Sequence, residues 1–476
     1  MASKSTLNPE NLEALGAARL AALLMEVSTG DAAIKRRLRL ELADAESPRK
    51  LAGDIRKRLS AIEGGKSYIG WRSAKGFRAE LKGLAGLIAG NLAKASPGEA
   101  LDLAWQFIGM ADGILERLTD TAGDVIEIFH SVTSSLPGIA GAAAPGTPDL
   151  AATTARAVLA NGYGQSDGLI MGLAPVLGPA GLDQVRGLLV AASRDVEPRQ
   201  VIKARQTSRW RRRRRMERDV TPRRPKRDII HQAFLEIADA LGDVDAYIAL
   251  HPAPIDPAAA VRIAERLLTA GRAEEALAVL DASKASAKAA LSADWYGARI
   301  AALERLGRAE DAQQERLSGF QQTLGAPLLR DYLKRLPDFD DLEAEDAAVD
   351  FARTFPSAAQ ALDFLLRWPN LEAASSLILA RHSDIEARDE DLLLLGVDKL
   401  SSRYPLAAVL LLRKLISRIL MLNLEQDFGR AADYLADCAR LDAHIDTYQG
   451  FDGHDAYVAR LRANFKHRQD FWDAVS

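Results

Sequence analysis

The sequence predicts an all-α protein, an α-solenoid of stacked helical hairpins preceded by an N-terminal helical region. Three observations carry this prediction. First, Gly271-Arg272-Ala273-Glu274-Glu275-Ala276 returns as Gly307-Arg308-Ala309-Glu310-Asp311-Ala312, an offset of 36 residues. Second, apolar positions three and four apart precede each copy: Ile263, Ala264, Leu267 and Leu268, then Ile300, Leu303 and Leu306. Such spacing defines a helix stripe, and Gly just beyond it caps the helix, so each copy reads as helix, Gly turn, helix. Third, Ala and Leu dominate while aromatic residues make up 6% of the chain, and no alternating run is bounded by hairpin turns. A single helix pair cannot bury its own face, so a period in the thirties implies an array.

The helices follow in order. Asn8-Pro9-Glu10 has the form of a helix start, with Asn as N-cap and Pro at the first position. Leu12, Leu15, Leu20, Leu23 and Leu24 continue it toward Gly30. Asp31 and Ser47-Pro48 open the next two helices, expected to reach Leu42 and Ile62. Helices are expected near 73–94, 98–118, 121–136, 148–161 and 179–193, with 137–148 as the loosest stretch, either a long loop or a weak boundary. From Ile229, helical pairs resume: Ile237, Ala238 and Leu241, then Gly242, then Val244, Tyr247 and Ile248. Beyond Leu324, helices are expected over 326–336, 341–355, 357–367, 371–382, 390–403, 406–424, 429–447 and 453–474. This divides the chain into an N-terminal helical region (1–198), an Arg-rich connector (199–228) and a helical repeat domain (229–476).

At 476 residues the chain exceeds one ordinary core, and 48% hydrophobic with 27% charged residues describes a folded chain, not a disordered one. The single cysteine, Cys438, fits a reducing compartment. Residues 1–16 are polar and then amphipathic, so no secretory leader is expected. The most apolar segment, 406–424, carries Arg413, Lys414 and Arg418 in its middle and reads as a buried helix, not a membrane span. A cytoplasmic location is expected.

The five-residue Gly-to-Ala step, with small and Leu-like residues on the preceding helix, resembles the tetratricopeptide repeat over about 258–324. It departs from that pattern in lacking the usual aromatic in the first copy and a proline between copies, and in the polar run Gln313, Gln314, Glu315. The whole chain resembles a family of uncharacterised bacterial all-helical proteins. Asn8-Pro9-Glu10-Asn11-Leu12, Glu236-Ile237-Ala238-Asp239-Ala240-Leu241-Gly242-Asp243-Val244-Asp245-Ala246-Tyr247 and the tail from Tyr457 to Phe471 carry that likeness. It supports the fold and adds no chemistry.

Several motifs reduce to structural readings. Gly64-Gly65-Lys66-Ser67 lacks the earlier Gly of a phosphate loop, has Ser60 in its place, and follows a helix instead of a strand, so a capping loop is expected. Gly162-Tyr163-Gly164 with Gly168 lacks the strands and acidic residue of a dinucleotide fold and reads as a tight, flexible connection. His444, Asp446, His454 and Asp455 form a loose cluster, read as a polar inter-helix loop; no metal or cofactor is expected. No Gly-x-Ser-x-Gly serine is present, and Asp340-Asp341 and Asp389-Glu390-Asp391 read as helix N-terminal charges.

The basic connector is different. Residues 199–227 hold fourteen Lys and Arg against Glu217 and Asp219, a local charge near +12, which leaves about −15 on the rest of a chain of net charge −3. Arg209, Trp210, Arg211, Arg212, Arg213, Arg214, Arg215 and Arg218 are the candidates for an anionic partner, with Trp210 able to stack on a base. The other reading is a solvated linker, or one folded on acidic surface of its own chain, such as the seven acids in 338–350. The function expected from the fold is a non-catalytic scaffold or adaptor that binds a protein partner, with Arg262, Arg266, Tyr296 and Arg299 as groove candidates. The alternatives are a nucleic-acid-associated protein that grips phosphates through 209–227, and an enzyme whose site helical periodicity does not reveal.

Overall fold

The computed structural model describes residues 7–30, 32–118, 123–194, 223–287 and 290–475. The described residues are helical throughout apart from turns and loops, and the single strand-like feature among them is an isolated bridge between Ile69 and Leu118. Contacts divide the chain into two units, Met1–His251 and Pro252–Ser476. Composition divides it elsewhere, at 198 and 228, because charge density and contacts are different criteria. The helix Lys226–Ala240 packs with helices of the first unit.

In the first unit the chain runs through α1 (Pro9–Glu13), α2 (Ala17–Ser28), α3 (Ala32–Glu46), α4 (Pro48–Glu63) and α5 (Trp71–Leu87). A π turn over Ile88–Leu92 extends α5 to Ala93–Ala95. The starts follow the expected chemistry: Asn8 Oδ1 accepts from the Asn11 N–H at 2.8 Å, and Ser47 Oγ accepts from Lys50 N–H at 3.2 Å, each ahead of a proline at the first turn. Leu51, Ile55 and Leu59 repeat at four-residue steps and are fully buried in the cluster that also holds Leu81, Leu84 and Ile88. Next come α6 (Pro97–Gly109), α7 (Ala111–Leu115), α8 (Asp124–Ala143), α9 (Thr147–Leu159), α10 (Leu169–Arg194), α11 (Lys226–Ala240) and α12 (Val244–Ala249). Phe107 of α6 meets Phe129 of α8 with ring centroids 5.1 Å apart.

Two stretches depart from expectation. Residues 137–143 are helical, not part of a loop, because α8 runs through Pro137. Proline removes one helical N–H, but Ile139 and Ala140 beyond it are buried, and the ring packs where a Gly172 Cβ would lie 3.1 Å away. Helix α10 begins at Leu169, ten residues before the expected start. Leu169, Ile170, Leu173 and Leu177 are buried on its first half, and a kink at Gly178 (φ 62°), flanked by Pro175 and Pro179, joins it to the second.

The second unit opens with α13 (Pro257–Thr269), α14 (Ala273–Ser286), α15 (Ala293–Arg305) and α16 (Ala309–Thr323), the two repeats read from sequence. Gly271 and Gly307 take positive φ of 76° and 72°. Each follows the same cap: Arg272 N–H donates to Leu267 O at 2.8 Å, and Arg308 N–H to Leu303 O at 2.9 Å. The arginine then pairs with an acid three residues on, Arg272 with Glu275 and Arg308 with Asp311, at 2.7 and 2.6 Å. The turn at Gly242 in the first unit is built the same way, with Asp243 N–H donating to Ala238 O at 2.9 Å. Asn423 (φ 53°) serves later in place of glycine, where Leu424 N–H reaches Ile419 O at 3.1 Å.

The unit continues through α17 (Ala326–Leu333), α18 (Asp340–Thr354), α19 (Ala358–Arg367), α20 (Leu371–Arg381), α21 (Glu390–Leu400), α22 (Pro405–Met421), α23 (Phe428–Asp442), α24 (His454–Phe465) and α25 (Gln469–Val475). Most contacts run from one helix to the next or the next but one, which is the packing of an α-solenoid. Helix α22, the apolar segment expected to be buried, is enclosed on nearly every side, from Leu406 through Leu412 to Leu420. No helix among the described residues is long and apolar enough to cross a membrane.

Candidate functional site

An opening of about 960 Å³ in the first unit lies between α3, α4 and α5. Gly76, Ala79, Gly83 and Gly86 lie three, four and three residues apart, so they share one face of α5. A Cβ built on any of the three glycines meets nothing within 4 Å, which leaves the helix backbone open to an approaching group. Apolar side chains supply the floor: Ile34 and Leu40 from α3, Ala61 from α4, and Leu84 and Leu87 from α5.

The rim is basic. Arg36, Arg37, Arg39, Lys57, Arg58 and Lys82 line it, against Glu41, Asp54 and Glu80. Glu80 is the most committed of the acids. Arg58 grips it through two bonds of 2.7 and 2.8 Å, and Arg36 adds a third at 3.1 Å. Burial alone would raise the Glu80 pKa, but the Arg58 hydrogen bond and charge, reinforced by Arg36, hold it below the ordinary glutamate value. Glu80 thus fixes two arginines at the groove wall while the other rim cations stand at the surface. In the same unit, Leu15, Leu24, Met25, Val27 and Leu42 are exposed.

The residues singled out from sequence fall elsewhere. Arg209, Trp210, Arg211, Arg212, Arg213, Arg214, Arg215 and Arg218 lie outside the described residues. The described end of the basic stretch is held by the first unit's own acids. Arg223 pairs with Asp112 at 2.5 Å and Glu116 at 3.5 Å, and Arg224 with Asp167 at 2.7 Å, while Arg224 N–H donates to Gly162 O at 2.7 Å. These arginines explain two glycines: a Cβ at Gly162 would lie 2.6 Å from Arg223 Nε, and one at Gly164 (φ 90°) 2.9 Å from Arg224 Nη2.

The Gly162–Gly168 turn is a tight connection with a dense polar network. Gln165 and Ser166 are buried within it. Gln165 Nε2 donates to Asp112 Oδ1 at 2.9 Å and to Ala160 O at 2.7 Å; Asn161 Nδ2 donates to Asp167 Oδ1 at 2.8 Å; Thr133 Oγ1 donates to Gln165 O at 3.1 Å. The Gly64-Gly65 turn closes α4 as a cap, with Gly64 N–H on Ser60 O at 3.0 Å and Arg117 Nη2 on Ile62 O at 2.6 Å. No group of three or more His, Cys, Asp or Glu among the described residues is placed to hold a metal ion.

In the second unit, the four groove candidates do not converge. Tyr296 is 4% exposed and lies against Gly319, whose added Cβ would stand 2.8 Å from the Tyr296 ring. Arg299 turns inward to Asp281 at 3.0 Å and Glu315 at 2.8 Å. Arg262 is exposed and Arg266 half-buried on α13, where Arg266 Nη1 donates to Arg262 O at 2.8 Å. The polar run on α16 explains the inward turn. Gln313 Nε2 donates to Tyr332 O at 2.9 Å, Glu315 receives Arg299, and the buried Arg316 pairs with Glu304. The groove of the first unit escaped the sequence reading because its floor and rim come from three helices, and no local pattern joins them.

No curated protein matches the chain. A solved structure described as a circular tandem repeat protein with novel repeat topology and enhanced subunit contact surfaces matches at 14% identity, over 94% of this chain and 96% of its own, with a TM-score of 0.13. At that TM-score the likeness carries no argument. A family model matches residues 2–474, nearly the whole length, and the chain belongs to that family of unknown function (DUF6880).

Proposed function

We propose that the protein is a non-catalytic adaptor that takes an acidic amphipathic helix of a partner protein into the groove between α3, α4 and α5. The observation that carries this reading is an apolar floor enclosed by six cations and three carboxylates. An amphipathic helix lays its apolar face on such a floor, and acidic residues beside that face meet the rim. The glycine and alanine face allows the close axial approach that large side chains would prevent. From Gly76 to Gly86 the open face runs about 15 Å, or nearly three turns of a docked helix. The proposal includes a reducing, cytoplasmic setting, supported by the single buried thiol of Cys438. A grip on nucleic-acid phosphates is not favoured by the described end of the basic stretch, where Arg223 and Arg224 are engaged by Asp112, Glu116 and Asp167.

The test places a photo-crosslinking residue at Ala79 in the intact chain, in cells, and identifies the captured peptide. The expected product is one acidic segment with helical apolar periodicity, and the yield falls sharply when Gly83→Leu fills the groove. Capture of unrelated peptides without that periodicity, or equal yield from the filled groove, would overturn the reading.

A further inference from the structure

A recess of about 670 Å³ in the second unit contains charge that the chain itself does not answer. It lies between α22, the turn from His382 to Arg388, and the stretch from Gly450 into α24. Arg413 on α22 lines it and is only 6% exposed. Its Nη1 donates to Asp452 O at 2.7 Å, and its guanidinium sits over the Tyr457 ring at 4.3 Å and the Tyr448 ring at 5.5 Å. Nε and Nη2 are buried without a hydrogen-bond partner, and no carboxylate lies within ion-pair distance among the described residues. A guanidinium does not lose its proton in a protein, so the charge persists, and a buried charge without a counter-ion is costly.

The next residue doubles the imbalance. Lys414 is half-buried on the same wall, and no hydrogen bond or ion pair reaches its amine among the described residues. Burial lowers its pKa, only partly opposed by the charge of Asp384. His382, facing it, is likewise lowered by burial and then by Lys414. The other cations of the recess are already matched. Arg388 pairs with Glu386 at 2.8 Å, Arg418 with Glu390 at 3.6 Å, and Arg460 with Asp452. Two positive charges on adjacent residues remain without a carboxylate at ion-pair distance, since Asp384, which acts on Lys414 from farther off, is paired with Arg381.

We infer that this recess binds a phosphate group carried by a small organic molecule, with the Lys414 amine in direct contact and the Arg413 guanidinium supplying field from the wall. A phosphate monoester carries roughly −1.5 to −2 charges near neutral pH, which matches two unanswered cations where a single carboxylate does not. The volume is that of a small-molecule site. Apolar and aromatic wall from Leu410, Met421, Leu422 and Phe451 suits the organic body. This site is independent of the groove in the first unit.

Calorimetric titration of the full chain at constant ionic strength, with inorganic phosphate, phenyl phosphate and benzoate as probes, tests the inference. Both phosphates should bind, and benzoate should bind about tenfold more weakly or worse. Phenyl phosphate should bind more tightly than inorganic phosphate, and equal binding of the two would overturn the organic part of the assignment. Lys414→Met should weaken phosphate about tenfold, Lys414→Arg should restore most of it, and Arg308→Gln, at an exposed and paired cation outside the recess, should leave it unchanged. Because Arg413 is buried, its replacement is not needed for the test. Benzoate equal to phenyl phosphate, unchanged affinity in Lys414→Met, or no heat from the wild-type chain up to about 10 mM of either phosphate would each overturn the assignment.

Discussion

Replacing Gly83 by alanine should stabilise the first unit, although this glycine lines the opening between α3, α4 and α5. Gly83 lies inside α5, thirteen residues into a helix of seventeen, and its added Cβ meets nothing within 4 Å. Glycine inside a helix costs about 0.5–1 kcal/mol relative to alanine through the backbone freedom it loses on folding, and open space means no offsetting clash. A unit of this size shifts by about 2–4 °C per kcal/mol, so the unfolding midpoint should rise by roughly 1–4 °C. Differential scanning calorimetry measures the midpoint, and hydrogen exchange at Leu81 and Leu84 assigns the change to the first unit. The larger Gly83→Leu should remain folded while closing the groove. A fall in the midpoint with Gly83→Ala would refute the reasoning, because it would mean that some group already occupies the space against α5.

Gly319 gives the opposite expectation from the same chemical change. Its added Cβ would lie 2.8 Å from the Tyr296 ring and 2.9 Å from Leu328 Cδ1, so Gly319→Ala should destabilise the second unit by about 1–3 kcal/mol in denaturant titration. Acid titration should report Glu80. Its carboxyl has a folded pKa below the unfolded one, so its contribution is present above the unfolded value and lost as pH falls through the folded value. Glu80→Gln should therefore flatten the acid limb of stability against pH, and an unchanged limb would remove Glu80 from that account.

The parts of the fold that were legible in the sequence are those set by neighbours along the chain. Gly242, Gly271 and Gly307 announce their turns because a left-handed residue must follow each helix, and Asn8-Pro9 and Ser47-Pro48 announce helix starts because their side chains serve the first free N–H groups. What was not legible depends on partners distant in sequence. Pro137 reads as a breaker, yet burial of Ile139 and Ala140 carries the helix past it. Gly172, Pro175, Gly178 and Pro179 disguise the first half of α10, whose buried face holds it in place. Arg299 and Tyr296 have the spacing of surface positions, but acids on α16 and the bare side of Gly319 draw them inward. The groove and the recess are assembled from three segments each, so neither leaves a local signature.

The anchoring of Arg224 on Gly162 has a topological consequence. Arg194 ends a helix of the first unit, and Arg224 is tied to a loop of that same unit just before α11 packs on α10. The polypeptide thus leaves and re-enters one body, so both ends of the basic stretch are set by the first unit, whatever lies beyond Pro252.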